Sequence, residues 1–416
     1  MSHPTESPPM AEATRRRPAL LVLAYLAFVS LGLPDSVLGV AWPSLREAFA
    51  LPQAALGAPL AAGAVTYFLS GMLAGRLIRV AGIGGLLAGS TALVTLGVTG
   101  YGSAPAFVLF LASACVVGFG SGAIDAGLNT YAAHHFGARH MTWLHAAYSA
   151  GAALGPVIMT VILTSGAGWQ TGYAVISGGL GVLAVAFIAT RRQWSHNSQG
   201  SVGTEAPREA PRMLSGWTVL RHPRVWLQIT LFFVYTGIEV AAGQWSYTIL
   251  VEARGVDTAT AGTWVSVYWA SLLAGRIVLG FIVERVGTVR LLRLGTAAAV
   301  VGALVFAAPG LPAWVGAVGL AVLGFALAPI FPALMAETPR RVGAKAAPHA
   351  VGFQVSAGTA GVAIIPSIAG FLGERLGLVV IAPWIALCAV LLALLHEVLV
   401  AKADRADSRR LPDGFH

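Results

Sequence analysis

Asp125 stands in the stretch GFGSGAIDAGLN, residues 118–129, with apolar sequence on both sides. Asn129 follows four residues later, so on a helix the amide and the carboxylate share a face and can hydrogen-bond. Gly118 and Gly122 are a small-xxx-small pair, and Gly127 adds room, a spacing that lets a neighbouring helix come close. Low-dielectric surroundings favour the neutral form of a carboxyl group, so an acid in such a run can exchange a proton or hold a cation. The same acid could instead be structural, hydrogen-bonded between helices. Two further acids have similar settings, Asp35 in GLPDSVLGVAW and Glu239 in GIEVAAGQW, each about 17 residues into its apolar run. Pro34 and the nearby glycines fit local unwinding, which frees backbone groups to meet a ligand; the other reading is a pair of cap or kink stabilisers. His145 and Tyr148 share a helix face that Gly151 and Ala152 continue with small residues, leaving room for a ligand or a close neighbour. Trp42, Trp245, Tyr268 and Trp269 can stack on a sugar ring, and Gln244 and Gln354 can bond hydroxyls. Trp and Tyr are also ordinary residues of the membrane–water interface.

The elements that must position these residues follow from composition. Of 416 residues, 56% are hydrophobic and 10% charged, against about 25% charged in a soluble domain. A water-facing surface cannot be built from this chain, and a polytopic membrane protein is expected. Cys115 and Cys388 both lie in apolar runs and support neither a disulfide framework nor a metal site. Crossing the hydrocarbon takes about 20 apolar residues. Twelve such segments are expected, at 18–43, 54–78, 82–101, 105–133, 141–164, 169–190, 222–250, 259–283, 288–308, 312–336, 347–372 and 377–400. They form an N-terminal six-helix bundle, 18–190, and a C-terminal one, 222–400. A polar linker, 191–221, joins them, and polar tails, 1–17 and 401–416, flank them. The N-terminal tail is Pro-rich and reads as disordered, without the features of a signal peptide.

The two bundles repeat. GAPLAAGAVTYFLSGMLAGRLIRVAG at 57–82 aligns with GTWVSVYWASLLAGRIVLGFIVERVG at 262–287, an offset of 205. GFGSGAIDAGLN aligns with GFALAPIFPALM at 324–335, an offset of 206, which sets Phe331 opposite Asp125. SAGAALGP at 149–156 aligns with SAGTAGVA at 356–363. A duplication of this kind means two similar six-helix units. Of the lysines and arginines, only Arg46, Arg254 and Arg375 fall on the side away from the termini; Arg276 counts with the loop charges of the other side. That bias predicts cytoplasmic termini and linker in a multi-pass plasma (cell inner) membrane protein. It also accounts for the net charge of +9 without a nucleic-acid partner.

Six plus six segments around a central linker resemble the major facilitator superfamily. Its loop signature is kept in the second half as GFIVERVGTVR, with Gly280, Glu284, Arg285 and Gly287, and the resemblance implies a conformational latch there. In the first half, GRLIRVAG puts Arg79 in the place of the usual acid. The stretches DSVLGVAWPSLREAF, GAIDAGLNTYAAHHF, WLHAAYSAGAALGP, YTGIEVAAGQW and APIFPALMAETP resemble the fucose–proton symporter group and its sugar-transporter-like relatives. That resemblance implies ion coupling at Asp125 and Asn129, which match the group's acid followed four residues later by Asn. Asp35 is the acid nearest to the group's first-helix acid, whose place here is held by Gly39. Glu239, Gln244, Tyr148, His145, Tyr268, Trp269, Gln354, Trp42 and Trp245 are the expected solute-binding residues.

The expectation is an all-α secondary transporter that moves a small, sugar-like solute by alternating access, coupled to an ion, H⁺ first, working as a monomer in the lipid bilayer without a cofactor. The rival is a proton-driven exporter of drugs or metabolites. GAALGP, residues 151–156, partly resembles the fifth-helix signature of drug antiporters, but the fourth segment lacks the arginine those proteins carry. An enzyme is disfavoured. There is no H-E-x-x-H or G-x-S-x-G, and GFGSG follows no strand.

Overall fold

In the computed structural model, residues 10–136, 138–195, 215–343 and 345–408 are described, apart from the side chains of 10–17, 133–134, 138–139, 141–142, 195, 284 and 403–408. Of the expected tails and linker, residues 1–9, 196–214 and 409–416 lie outside these residues, and residues 10–17 belong to the helix Met10–Ala48.

Among the described residues, eleven helical stretches are long and apolar enough to cross a membrane, and one of them, Gln53–Ser103, has 51 residues. At 1.5 Å per residue that is more than twice the roughly 30 Å of a hydrocarbon core. It crosses twice, because Gly82 inside it has φ 67° and ψ 167°, a conformation open to glycine and strained for other residues. The protein is therefore an all-α membrane protein with twelve crossings. Gly287 has φ 81° at the matching place in the second half, between the helices Thr258–Val286 and Thr288–Ala307. Ala50 (φ 51°) and Gly255 (φ 64°) form a second matching pair in the first loop of each half. The offset of 205 read from sequence thus returns in the backbone, as expected of two pseudo-symmetric six-helix bundles.

The halves differ at one crossing. Phe107–His135, the fourth, is a continuous helix. Its counterpart, the tenth, is broken between Ala313–Leu327 and Ile330–Val342. Pro329 and Pro332 account for the break: each lacks a backbone N–H and crowds the preceding turn.

The bundles meet tightly at the end away from the termini. Gly39 of the first crossing packs on the Gln244 backbone of the seventh. Gly57 packs on Ser367, and Gly262 on Thr160. The last two contacts are counterparts of one another under the internal repeat. Membrane helices have no hydrophobic drive to associate, so close backbone approach through small residues does that work. Among the described residues, every hydrogen bond between the halves lies either at this end or at mid-depth. Large apolar side chains such as Val80, Val108, Val182 and Leu394 are exposed on the outside of the bundle, where lipid would meet them.

Candidate functional site

A cavity of about 330 Å³ lies between the halves. Asp35, Asp125, His145 and Tyr148 reach it from the first half, and Glu239, Gln244, Trp269 and Arg276 from the second. Sequence alone placed these acids in apolar runs; the fold brings all three to one cavity, two from the first half and one from the second.

The surroundings of Asp125 explain its glycines. Gly118 and Gly122 press the fourth crossing onto the second, against the backbone of Gly63 and Tyr67. That contact delivers the Tyr67 hydroxyl, which donates to Asp125 Oδ2 at 2.8 Å. Asn129 Nδ2 donates to Asp125 Oδ1 at 3.0 Å. Gly127 faces the side chains of Leu86 and Ile83 and so serves packing alone. Asp35 accepts from the Tyr148 hydroxyl at 3.0 Å, and its backbone carbonyl accepts from Gln244 Nε2 of the other half at 2.6 Å. No lysine or arginine among the described residues forms an ion pair with Asp35 or Asp125.

Glu239 differs. Arg276 pairs with it at 3.6 Å, the Tyr235 hydroxyl donates to its carboxylate, and the Tyr268 hydroxyl donates to its backbone carbonyl at 2.8 Å. Arg276 also crosses to the first half. It donates to the His145 carbonyl at 3.1 Å and to Ser149 Oγ at 2.6 Å. The His145 ring stands edge-on to Phe28, with centroids 5.5 Å apart. Phe331, the counterpart of Asp125 in the repeat, also lines the cavity. The two halves therefore offer a carboxylate and a phenyl ring at equivalent places.

Five of the expected site residues do not reach the cavity wall. Asn129 stands behind Asp125 as its donor. Tyr268 is wholly buried and tied to the Glu239 backbone. Gln354 is buried between Gln228 and Thr338. Trp42 is buried with its Nε1 on Gln53 Oε1. Trp245 is buried with its Nε1 on the Pro366 carbonyl. For the two tryptophans the reason is the same: a large apolar ring with one donor finds a fully satisfied place in the packed helix interface. Of the loop signature, Gly287 makes the turn and Gly280 and Arg285 are exposed on the helix before it; the Glu284 side chain lies outside the described residues.

Arg276 needs correction as a loop charge. It sits ten residues before the end of its helix at Val286, roughly 15 Å deep at the rise of an α-helix. Its depth is legible in the chain in the same way as that of Asp35 and Glu239, from its distance to the end of the apolar run. Tyr67 had no such signal, because it meets Asp125 across 58 positions of sequence.

Comparison with known proteins gives fold and family. The solved structure of the nucleoside transporter NupG, a mutant form, matches with a TM-score of 0.73 over 91% of this chain and 98% of that one, at 12% identity. A mutant of the peptide transporter POT in complex with sulfate matches at 0.71 over 93% and 94%, also at 12% identity. Among curated proteins, Bypass of stop codon protein 6 of Saccharomyces cerevisiae is 28% identical over 92 residues, which is 22% of this chain and only 18% of the yeast protein. The family model described as Major Facilitator Superfamily matches residues 24–366 and, again, 247–413; with twelve crossings in two related halves around a central cavity, the chain belongs to the Major Facilitator Superfamily.

Proposed function

We propose that the protein is an ion-coupled symporter that carries a small polar solute through the central cavity by alternating access, with H⁺ as the coupling ion and Asp125 as its site. The observation that carries this reading is the asymmetry at the cavity wall. Asp125 is held by Tyr67 and Asn129, has no cationic partner among the described residues, and is matched by Phe331 in the other half. A packing requirement shared by both halves would have favoured similar residues at the two places. Ionised, Asp125 favours a state in which the cavity is wet; neutralised, it can be enclosed as the halves close. A charge in a membrane interior costs several kcal/mol, and a swing from 1:99 to 99:1 needs about 5.5 kcal/mol. The two magnitudes are of the same order, so one titrating carboxylate can bias the cycle strongly.

Asp35 and Tyr148 of the first half, with Gln244, Trp269 and Glu239 of the second, are the groups assigned to the solute, and His145 borders them. Gln244 Oε1 and Trp269 Nε1 are buried without hydrogen-bond partners among the described residues, an acceptor and a donor suited to a hydroxylated solute. Tyr268, Gln354, Trp42 and Trp245 are assigned to supporting the walls. The seal at the end away from the termini, taken with cytoplasmic termini, corresponds to an inward-open carrier. The second reading is a proton-driven exporter. It draws on the cavity's aromatic lining, including Phe28, Tyr101, Tyr235 and Phe331, which would suit a more apolar cargo.

The test is flux into vesicles across a panel of sugars and small drugs, with a pH gradient imposed in either direction. Symport predicts accumulation along the proton gradient, and export predicts accumulation against it. Asp125→Asn mimics the neutral acid and should abolish gradient-driven accumulation while solute exchange persists. Unchanged accumulation in a normally expressed Asp125→Asn variant would remove Asp125 from the mechanism.

A further inference from the structure

The polar contacts that seal the closed end come from Gln53 and Arg46 of the first half. Gln53 opens the short turn Gln53–Leu56 between the first and second crossings. Its backbone N–H donates to Glu374 Oε2 at 2.5 Å, and its Nε2 donates to Glu252 Oε2 at 2.9 Å. Both glutamates belong to the second half. The Gln53 Oε1 accepts from Trp42 Nε1 at 3.1 Å. An indole nitrogen can only donate, so Trp42 fixes which end of the amide it faces and turns Nε2 toward Glu252. Arg46 adds an ion pair to Glu252 at 3.2 Å. The other charges nearby have partners of their own. Arg254 lies on the Phe306 ring and carbonyl, Arg375 lies over the Phe371 ring, and Asp257 caps Thr260. Glu47 adjoins Arg46 in sequence and has no contact with either glutamate among the bonds described.

We propose that Gln53, Glu252 and Glu374 form an acid-labile lock on this mouth of the carrier, and that protonating the two glutamates releases it. A hydrogen bond to an ionised acceptor is roughly twice as strong as one between neutral groups. Neutralising both carboxylates therefore weakens both Gln53 bonds at once and removes the charge that holds Arg46. The lock is read from contacts alone; its part in transport rests on the alternating-access reading. In a proton-driven importer, acid on this face would then open the cavity toward the side where protons are plentiful.

The test is a distance measurement across the mouth. Ala50→Cys in the first half and Val379→Cys in the second carry spin labels, in a background with Cys115→Ala and Cys388→Ala, in lipid nanodiscs. At neutral pH the parent should show one short distance. The isosteric pair Glu252→Gln with Glu374→Gln should raise the ratio of long to short distances at least tenfold, equivalent to about 1.4 kcal/mol. Gln53→Ala removes only the Nε2 bond to Glu252 and keeps the backbone bond to Glu374, so it should raise the ratio in the same direction by a smaller factor. Acidifying the buffer stepwise should open the parent similarly and leave the glutamine pair without further response. Identical distance distributions in parent and glutamine pair overturn the lock. So does an acid response that survives in the glutamine pair, or one that disappears in Asp125→Asn, because the sensor would then lie elsewhere. Flux enters none of these readings, so a failed lock and a failed transport assignment are told apart.

Discussion

The two kinds of glycine around Asp125 make opposite predictions for the same small change. A methyl group added at Gly122 would sit 2.9 Å from the Tyr67 carbonyl carbon and closer still to its oxygen. Moving that carbon out to the 3.4 Å at which ordinary van der Waals contact begins requires the fourth and second crossings to part by at least 0.5 Å. Backbone cannot swing aside as a side chain can, so Gly122→Ala carries the usual cost of overpacking, about 1–3 kcal/mol. For a unit the size of one six-helix half, each kcal/mol moves Tm by about 2–4 °C, which gives a drop of about 2–12 °C. The same separation lengthens the 2.8 Å bond from Tyr67 to Asp125 and should weaken coupled accumulation. At Gly127 the methyl would meet only the end of the Leu86 side chain at 2.7 Å, which can rotate away. Gly127→Ala should be neutral or slightly stabilising, since alanine favours helix over glycine by about 1 kcal/mol. Thermal unfolding of the three proteins in one detergent decides the matter. An unchanged Tm for Gly122→Ala, or an equal drop for both variants, would refute the argument that Gly118 and Gly122 dock the helix that presents Tyr67.

Two further outcomes follow from the cavity and the packing behind it. Glu239→Gln leaves the largely buried Arg276 against the His145 carbonyl and Ser149 without its counter-charge. Breaking a buried pair costs about 3–5 kcal/mol, so the variant should unfold well below the parent, and Glu239→Gln with Arg276→Gln should recover much of the loss; equal melting of Glu239→Gln and parent would show that the pair is not desolvated. Trp245→Phe leaves the Pro366 carbonyl without its donor at about 1–3 kcal/mol, so Tm should fall while solute affinity, measured by binding, stays put; a loss of affinity at unchanged Tm would return Trp245 to the binding site.

Several features needed only the chain itself. A content of 10% charged residues excludes a soluble surface, and apolar runs of membrane length must become helices because hydrocarbon offers backbone groups no other partner. The repeat at 205–207 was visible as letters, and it reappears as paired turns at Gly82 and Gly287. Intramembrane acids were legible as well, since a charge in such a run is costly enough to stand out. What sequence could not decide was which polar side chains face the cavity and which face another helix. Trp245 and Trp269 look alike in the chain, yet one is bound to the Pro366 carbonyl and the other lines the cavity. That choice depends on the rotation of each helix, set by contacts such as Gly122 on Tyr67 and Gly39 on Gln244, and these join residues far apart in sequence. Tyr67 beside Asp125, Arg276 reaching His145, and Gln53 holding two glutamates of the other half exist only once the twelve helices are packed, because each is a bond between elements that no local pattern relates.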